Sequence, residues 1–235
     1  MTALAALAGA TIRGFSGFGA GMLFVPVAAA CLGPRNAAGI LFVIDTLLIA
    51  PFLLRAVAVV EWGEVVPLGL ASLVTVPLGV AALLYVDPVP LRWGISLVIL
   101  GFVAVLAAGW RYRGPTRVWL STIVGAVAGF LSGVAQLSGP PVILYWLGRQ
   151  AVAKSMRANA MMFFCFTTVA AGIAYYTAGI FTRDVMAYAL VLAPVYALGL
   201  FVGSRMFGLA SDRTYRAIAY GAIIVAALLT LPVFG

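Results

Sequence analysis

The chain is dominated by long runs of apolar residues, separated by short connections that hold charges, prolines and glycines. Eight such runs follow one another: residues 2–32, 37–60, 65–86, 93–110, 118–148, 156–181, 185–208 and 215–234. Most of them reach the roughly 20 residues that a helix needs to cross a bilayer. The alternating ten-residue pattern of a membrane β-barrel does not occur in the sequence. The pattern therefore predicts an all-α polytopic membrane protein.

The eight runs form two similar series of four. Gly17 aligns with Gly133, at an offset of 116 residues. Other aligned pairs keep a similar spacing: Thr46 with Thr168, Gly79 with Gly199 and Arg92 with Arg216. We therefore predict two homologous halves, an N-terminal transmembrane repeat over residues 1–112 and a C-terminal transmembrane repeat over residues 113–235.

The first run of each half is unusually long and has a cluster of small residues in its middle. The first cluster covers residues 14–21 and the second covers residues 129–141. Glycine and proline at this density destabilise a continuous helix, through backbone entropy and missing N–H groups. Two arrangements remain open: a broken helix that still crosses the membrane, or a re-entrant hairpin of two short helices.

The distribution of Lys and Arg favours the hairpins. With hairpins in both halves, 10 of the 14 basic residues fall on one side of the membrane, whereas two crossing segments divide them 8 against 6. Positive residues concentrate on the cytoplasmic side of membrane proteins, so the stronger bias is the better topology. Three crossings then separate the halves, which makes them an inverted repeat, an architecture typical of transporters.

Composition excludes a soluble protein. Hydrophobic residues make up 65% of the chain and charged residues 9%, and the mean hydropathy is +1.17. Soluble domains carry about 25% charged residues. The net charge of +8 would suggest nucleic acid in a soluble protein, but here the basic residues serve first as topology signals. We expect a multi-pass protein of the inner cell membrane that contacts lipid and binds no nucleic acid.

The residue types needed for most enzyme sites are missing from the sequence. It contains no histidine, 2 cysteines in apolar stretches and 6 carboxylates scattered along the chain. Such a set cannot supply a zinc, haem or di-iron site, nor a histidine-dependent hydrolase. It also lacks the glycine-rich phosphate loop of ATP-driven pumps. We expect no cofactor, no metal and no enzyme activity.

The two clusters predict a site for a small anion. Unwound backbone at membrane depth is tolerated where it lines a cavity or is buried in protein, so the clusters are expected to face each other near the midplane. Free N–H groups at helix N-termini attract anions there. The candidate binding residues in the clusters are Ser16, Gly17, Phe18, Gly19, Ala20, Gly21, Ser132, Gly133, Gln136, Ser138 and Gly139. The alternative is that these small residues only allow close helix packing.

A few polar residues next to or inside the runs add to the candidate site. Arg13 either attracts the anion or extends its charge to the membrane interface. Asp45 is the only carboxylate well inside a run, and it is expected to pair with Arg13 or Arg157 or to take up a proton during transport. Arg157 and Asn159 begin the sixth run, where ligand contact and topology anchoring both fit.

The doubled motif resembles the TauE/SafE sulfite-exporter family of membrane permeases over essentially the whole chain. The resemblance rests on residues 14–26, on Ser132-Gly133 through Gly139-Pro140-Pro141, on Arg157-Ala158-Asn159 and on residues 199–205. The first cluster carries Ala20 where the family frequently has a run of three glycines. The resemblance implies transport of small sulfur-containing anions such as sulfite or organosulfonates.

We therefore expect a secondary transporter, with export as the expected direction, that works by alternating access about the two broken segments. An anion channel with the same site, and a carrier of another small organic anion, are the alternatives. An intramembrane enzyme is disfavoured because no catalytic group converges with Asp45. The sequence leaves the identity of the anion, the coupling ion and the formation of homo-oligomers open.

Overall fold

A computed structural model describes residues 1–53, 60–108, 117–147 and 153–206. All regular secondary structure within these ranges is α-helical. The helices are α1 (Thr2–Ser16), α2 (Ala20–Leu32), α3 (Pro34–Leu53), α4 (Trp62–Tyr85), α5 (Pro88–Ala107), α6 (Val118–Ala135), α7 (Gly139–Leu147), α8 (Ala153–Thr177) and α9 (Arg183–Met206). The predicted eighth run and the boundary between the two halves, at residues 112 and 113, lie outside the described residues.

Several helices are suited to cross a membrane. Four are long and apolar enough by length and composition: Trp62–Tyr85, Val118–Ala135, Ala158–Thr177 and Arg183–Met206. Large apolar side chains cover their outer faces, and Val74 on α4 and Leu190 on α9 are 70% and 77% exposed. Lipid tails cover such faces without the cost that water would impose. The predicted class, an all-helical membrane protein, is confirmed.

The helix interruptions expected in both clusters are present. The first break, residues 17–19, separates α1 from α2, and the second break, residues 136–138, separates α6 from α7. Gly17 and Gly19 have φ values of 81° and 98°, which glycine adopts at little cost. Gln136 ends α6 at φ 56° and is the one non-glycine residue with positive φ in the described ranges. Glycines therefore stop α1, whereas α6 ends at a residue type that rarely adopts positive φ.

The chain reverses direction at the first break. The carbonyl oxygen of Ala20 lies 3.1 Å from the position that a Cβ on Gly9 would take. A continuous helix would separate residues 9 and 20 by about 16 Å, because each residue adds 1.5 Å. Helix α2 therefore packs back along α1.

Helix α2 is enclosed by its neighbours. Residues 20–26 are buried without interruption, and the helix contacts α1, α3 and α5. A helix that is apolar on all sides lies in a protein core or in lipid, and the burial of α2 shows that its neighbours surround it. This places the first break inside the helical bundle.

Close backbone contacts join α1 to α9. Gly14 lies against the backbone of Leu200, and Gly203 lies against the carbonyl oxygen of Thr11. A Cβ at either glycine would overlap these atoms. Small residues therefore allow the two helices to approach as closely as membrane helices with small-xxx-small patterns do.

Helices α6 and α4 pack in the same way. Gly125 lies against the carbonyl oxygen of Leu68, and Gly133 lies against the carbonyl oxygen of Val76. In each predicted half, the helix before the break therefore packs against the helix of the third apolar run of the other half. The helix before each break is thus held by a helix of the other predicted half.

Candidate anion site between the two helix breaks

A narrow cavity lies between the first and second breaks. Its wall includes many residues that the sequence predicted for an anion site: Arg13, Phe18, Gly19, Ala20, Gly21, Gln136, Ser138 and Gly139. The two clusters are more than 100 residues apart in the chain, and the helix packing brings them to one place. This arrangement agrees with the expectation that the two breaks face each other.

The two breaks touch each other directly. A Cβ on Gly21 would lie 2.6 Å from the carbonyl oxygen of Gln136, and a Cβ on Gly139 would lie 3.1 Å from Cβ of Phe18. Each glycine belongs to the first turn of the helix that follows its break. The absence of side chains at these two positions therefore allows both helix starts to reach the cavity.

The helix starts give the cavity a positive character. Helix α2 begins at Ala20 and α7 at Gly139, and the first N–H groups of a helix have no acceptor within it. Pro140 and Pro141 occupy the first turn of α7, where proline is tolerated, but neither has an N–H, so this helix start offers fewer free N–H groups than that of α2. Both helices add the positive end of their dipoles to the cavity.

A buried ion pair forms the charged part of the wall. Nε of Arg13 on α1 lies 2.5 Å from Oδ1 of Asp45 on α3, and the two side chains are 11% and 18% exposed. The hydroxyl of Tyr196 on α9 donates a hydrogen bond of 2.6 Å to the same oxygen. Arg13 therefore points to a carboxylate inside the protein, and Asp45 has Arg13 as its partner.

Arg13 also separates the cavity from a second one. Its NH1 group lies 3.5 Å from the carbonyl oxygen of Gly17, and its guanidinium carbon lies 5.4 Å from the centre of the Phe164 ring. Beyond it is a mainly apolar cavity of about 870 Å³, including its open mouth, to which Gly17, Leu200 and Arg13 itself contribute. Arg13 is thus accessible from both cavities.

The second break is fixed by a buried tyrosine. Tyr175 on α8 donates a hydrogen bond of 2.9 Å to the carbonyl oxygen of Gly133. The side-chain amide of Gln136 donates to the carbonyl oxygen of Ser132 at 3.2 Å and lies 3.4 Å from the Tyr175 hydroxyl. The bond from Tyr175 gives a partner to the carbonyl group of Gly133 in the last turn of α6.

Other predicted site residues lie away from the cavity wall. Ser132 is buried, Gly133 packs against α4, and Asn159 accepts a hydrogen bond of 2.8 Å from the backbone N–H of Glu61. Glu61 is the residue before α4, so Asn159 satisfies an N–H at a helix start. The side chains of Ser16 and Arg157 lie outside the described part of the structure.

Helix α8 supplies wall residues that the sequence did not single out as binding residues. Thr167, Thr168 and Phe164 line the cavity, and the Thr167 hydroxyl donates to the carbonyl oxygen of Phe164 at 3.1 Å. The internal repeat could have pointed to these residues, because Thr168 aligns with Thr46, the residue after Asp45. The second half thus offers neutral hydroxyls where the first half carries a carboxylate.

The described residues bring no three His, Cys, Asp or Glu side chains together as a metal site would require. What they do form is a cavity between two interrupted helices in a bundle of apolar membrane helices, with one buried ion pair in its wall. This arrangement defines a class, the polytopic helical membrane proteins with a central polar site.

The chain belongs to the TauE/SafE sulfite exporter family. Residues 1–230 match the family described as "Sulfite exporter TauE/SafE", which confirms the family predicted from the two clusters. The family consists of membrane transporters of sulfite and related sulfur anions. Comparison with curated proteins and with solved structures gave no match.

Proposed function

We propose that the protein is a secondary transporter that exports small sulfur-containing anions, sulfite or organosulfonates, across the inner cell membrane. The observation that carries this proposal is the meeting of both helix breaks in one cavity whose wall contains Arg13. Ser138 and Gln136 add neutral hydrogen-bonding groups to the same wall. The family match supports a sulfur anion as the substrate.

Alternating access about this cavity is the proposed mechanism. Each break lies between a helix packed against the other predicted half and a second helix that starts at the cavity. The equivalent pairing of α1 with α9 and of α6 with α4 supports an inverted repeat, in which exchange of the two conformations opens opposite sides. The return of α2 along α1 supports a re-entrant hairpin in the first half.

Topology is tested by cysteine labelling at positions 116 and 150, which flank α6 and α7. Cys31 and Cys165 are first replaced by serine, and each single cysteine is then labelled from either side of the membrane. Accessibility of both positions from the same side would support a hairpin in the second half. Accessibility from opposite sides would show that this segment crosses the membrane.

The function is tested with purified protein in liposomes. We expect saturable sulfite flux and counterflow, with weaker transport of sulfate and chloride. Arg13→Gln and Ser138→Ala should each raise the KM for sulfite about tenfold or more, because a hydrogen bond to a charged group contributes about 1.5–3 kcal/mol. Arg183→Gln, an exposed residue on α9, is the matched control.

The outcomes separate the alternatives. Saturable flux with counterflow supports a carrier, whereas flux without counterflow or saturation indicates an anion channel. Transport that is unaffected by Arg13→Gln and Ser138→Ala would place the site elsewhere. Absence of flux for every oxyanion would refute the proposed substrate class.

A further inference from the structure

The charged side chains in the wall of the cavity cancel each other before any substrate enters. Among the described residues of its wall, Arg13 and Asp45 are the two that carry charge, and they form an ion pair at 2.5 Å. Asp45 faces Arg13 from α1 and Tyr196 from α9, while the nearby wall on α8 presents the neutral Thr167 and Thr168. The side chain best suited to bind an anion is therefore already occupied by a carboxylate.

An anion that enters this cavity adds a negative charge that the charged side chains of the described wall do not offset. It would compete with the Asp45 carboxylate for the Arg13 guanidinium, and the anion and the charged side chains of the described wall would together hold two negative charges against one positive charge. Uncompensated charge costs several kcal/mol away from water, and like charges close to one another repel strongly there. One proton on Asp45 removes this excess charge.

We propose that each anion is transported together with one proton, and that Asp45 is the residue that carries this proton. The inference rests on the proposed transport function and adds the co-transported ion. It also assigns a role to Tyr196, which holds Asp45 in place. Both Arg13 and Tyr196 contact Oδ1, so a proton added at Oδ2 leaves the bond from Tyr196 intact.

The charges balance in both forms that change conformation, the form loaded with anion and proton and the empty form with its ion pair. A proton from water adds to Asp45, the ion pair with Arg13 opens, and the anion pairs with Arg13. After the conformational change the anion leaves, the proton returns to water on the other side, and Arg13 and Asp45 pair again. For a monovalent anion this cotransport is electroneutral. Net export then requires an outward anion gradient larger than the inward proton gradient.

The test uses full-length protein in liposomes with the membrane potential held at zero. The probe is methanesulfonate, which stays monovalent across the pH range and does not cross lipid as a neutral acid. We expect an imposed gradient of one pH unit to drive about tenfold accumulation of methanesulfonate on the alkaline side. With one proton per anion, the ratio of anion concentrations at equilibrium is the inverse of the ratio of proton concentrations. Exchange at equal concentrations should become faster as pH falls.

Asp45→Asn separates coupling from transport. The amide is permanently neutral, so the variant should still exchange methanesulfonate, without pH dependence, and should lose accumulation driven by the pH gradient. Asp184→Asn, an exposed carboxylate in the first turn of α9, should behave like the wild type. Gradient-driven accumulation that persists in Asp45→Asn would overturn the inference.

Tyr196→Phe is the second variant, because it retains Asp45 and removes one hydrogen bond. Loss of a donor to the carboxylate favours its protonated form, so the pH at which exchange is half-maximal should rise. One proton should still accompany each anion. Tyr188→Phe, exposed on the same helix, should leave the pH profile unchanged. An unchanged pH profile in Tyr196→Phe would refute its positioning role.

The failure of this inference can be told apart from failure of the proposed function. If the wild-type protein exchanges anions saturably but a pH gradient drives no accumulation, proton coupling is overturned and the transporter assignment stays in place. A wild-type protein without saturable anion exchange would overturn both.

Discussion

Gly21 in the first turn of α2 lies directly against the carbonyl oxygen of Gln136, which ends α6. A Cβ at position 21 would be 2.6 Å from that oxygen, closer than packed atoms allow. This contact joins the first and second breaks, and it explains how one cavity is built from two distant parts of the chain.

Gly21→Ala should therefore separate the two breaks and reduce transport at least tenfold while the protein still inserts into the membrane. Small displacements of binding groups have large effects on positioned sites. Initial rates of sulfite uptake into liposomes, normalised to inserted protein, measure the effect. Gly94→Ala is the control, because a Cβ there meets nothing within 4 Å; equal rates in the two variants would contradict the role of this contact.

Gly133→Ala should destabilise the protein, because its Cβ would overlap the carbonyl oxygen of Val76 on α4. Overpacking of this kind costs about 1–3 kcal/mol in the free energy of unfolding. Reversible unfolding in micelles measures the change. Gly101→Ala has open space around its Cβ and should be neutral or slightly stabilising, since alanine is the better helix former. Comparable stability of both variants would refute close packing of α6 on α4.

Tyr175→Phe should lower stability by about 1–3 kcal/mol, because it leaves the buried carbonyl oxygen of Gly133 without its donor. Tyr176→Phe provides a matched control, since the neighbouring tyrosine is 77% exposed. Both variants are compared by unfolding in micelles. If the two tyrosines prove equivalent, the second break is not fixed by Tyr175.

Asn159→Ala distinguishes a structural role from substrate contact. Loss of its bond to the Glu61 N–H should destabilise the start of α4 by about 1 kcal/mol, while the KM for sulfite stays within twofold of the wild-type value. Stability and transport are measured on the same preparation. An increase in the KM for sulfite of tenfold or more without loss of stability would show that Asn159 contacts the substrate instead.

The sequence by itself determined the features that depend on neighbouring residues. Apolar runs of sufficient length predict membrane helices, and Gly17, Gly19 and the Ser138-Gly139-Pro140-Pro141 segment interrupt them through backbone preferences that need no tertiary contact. The doubled clusters also predicted the family correctly. These properties are local, so the sequence expresses them directly.

Only the tertiary structure decided which distant residues meet. It paired Asp45 with Arg13 and Tyr196, placed Thr167 and Thr168 in the cavity wall, and directed Asn159 to the start of α4. The sequence left two partners open for Asp45, Arg13 and Arg157, because either is compatible with a carboxylate in an apolar run. The partner is fixed by which helices approach closely, and that depends on glycine contacts between segments far apart in the chain.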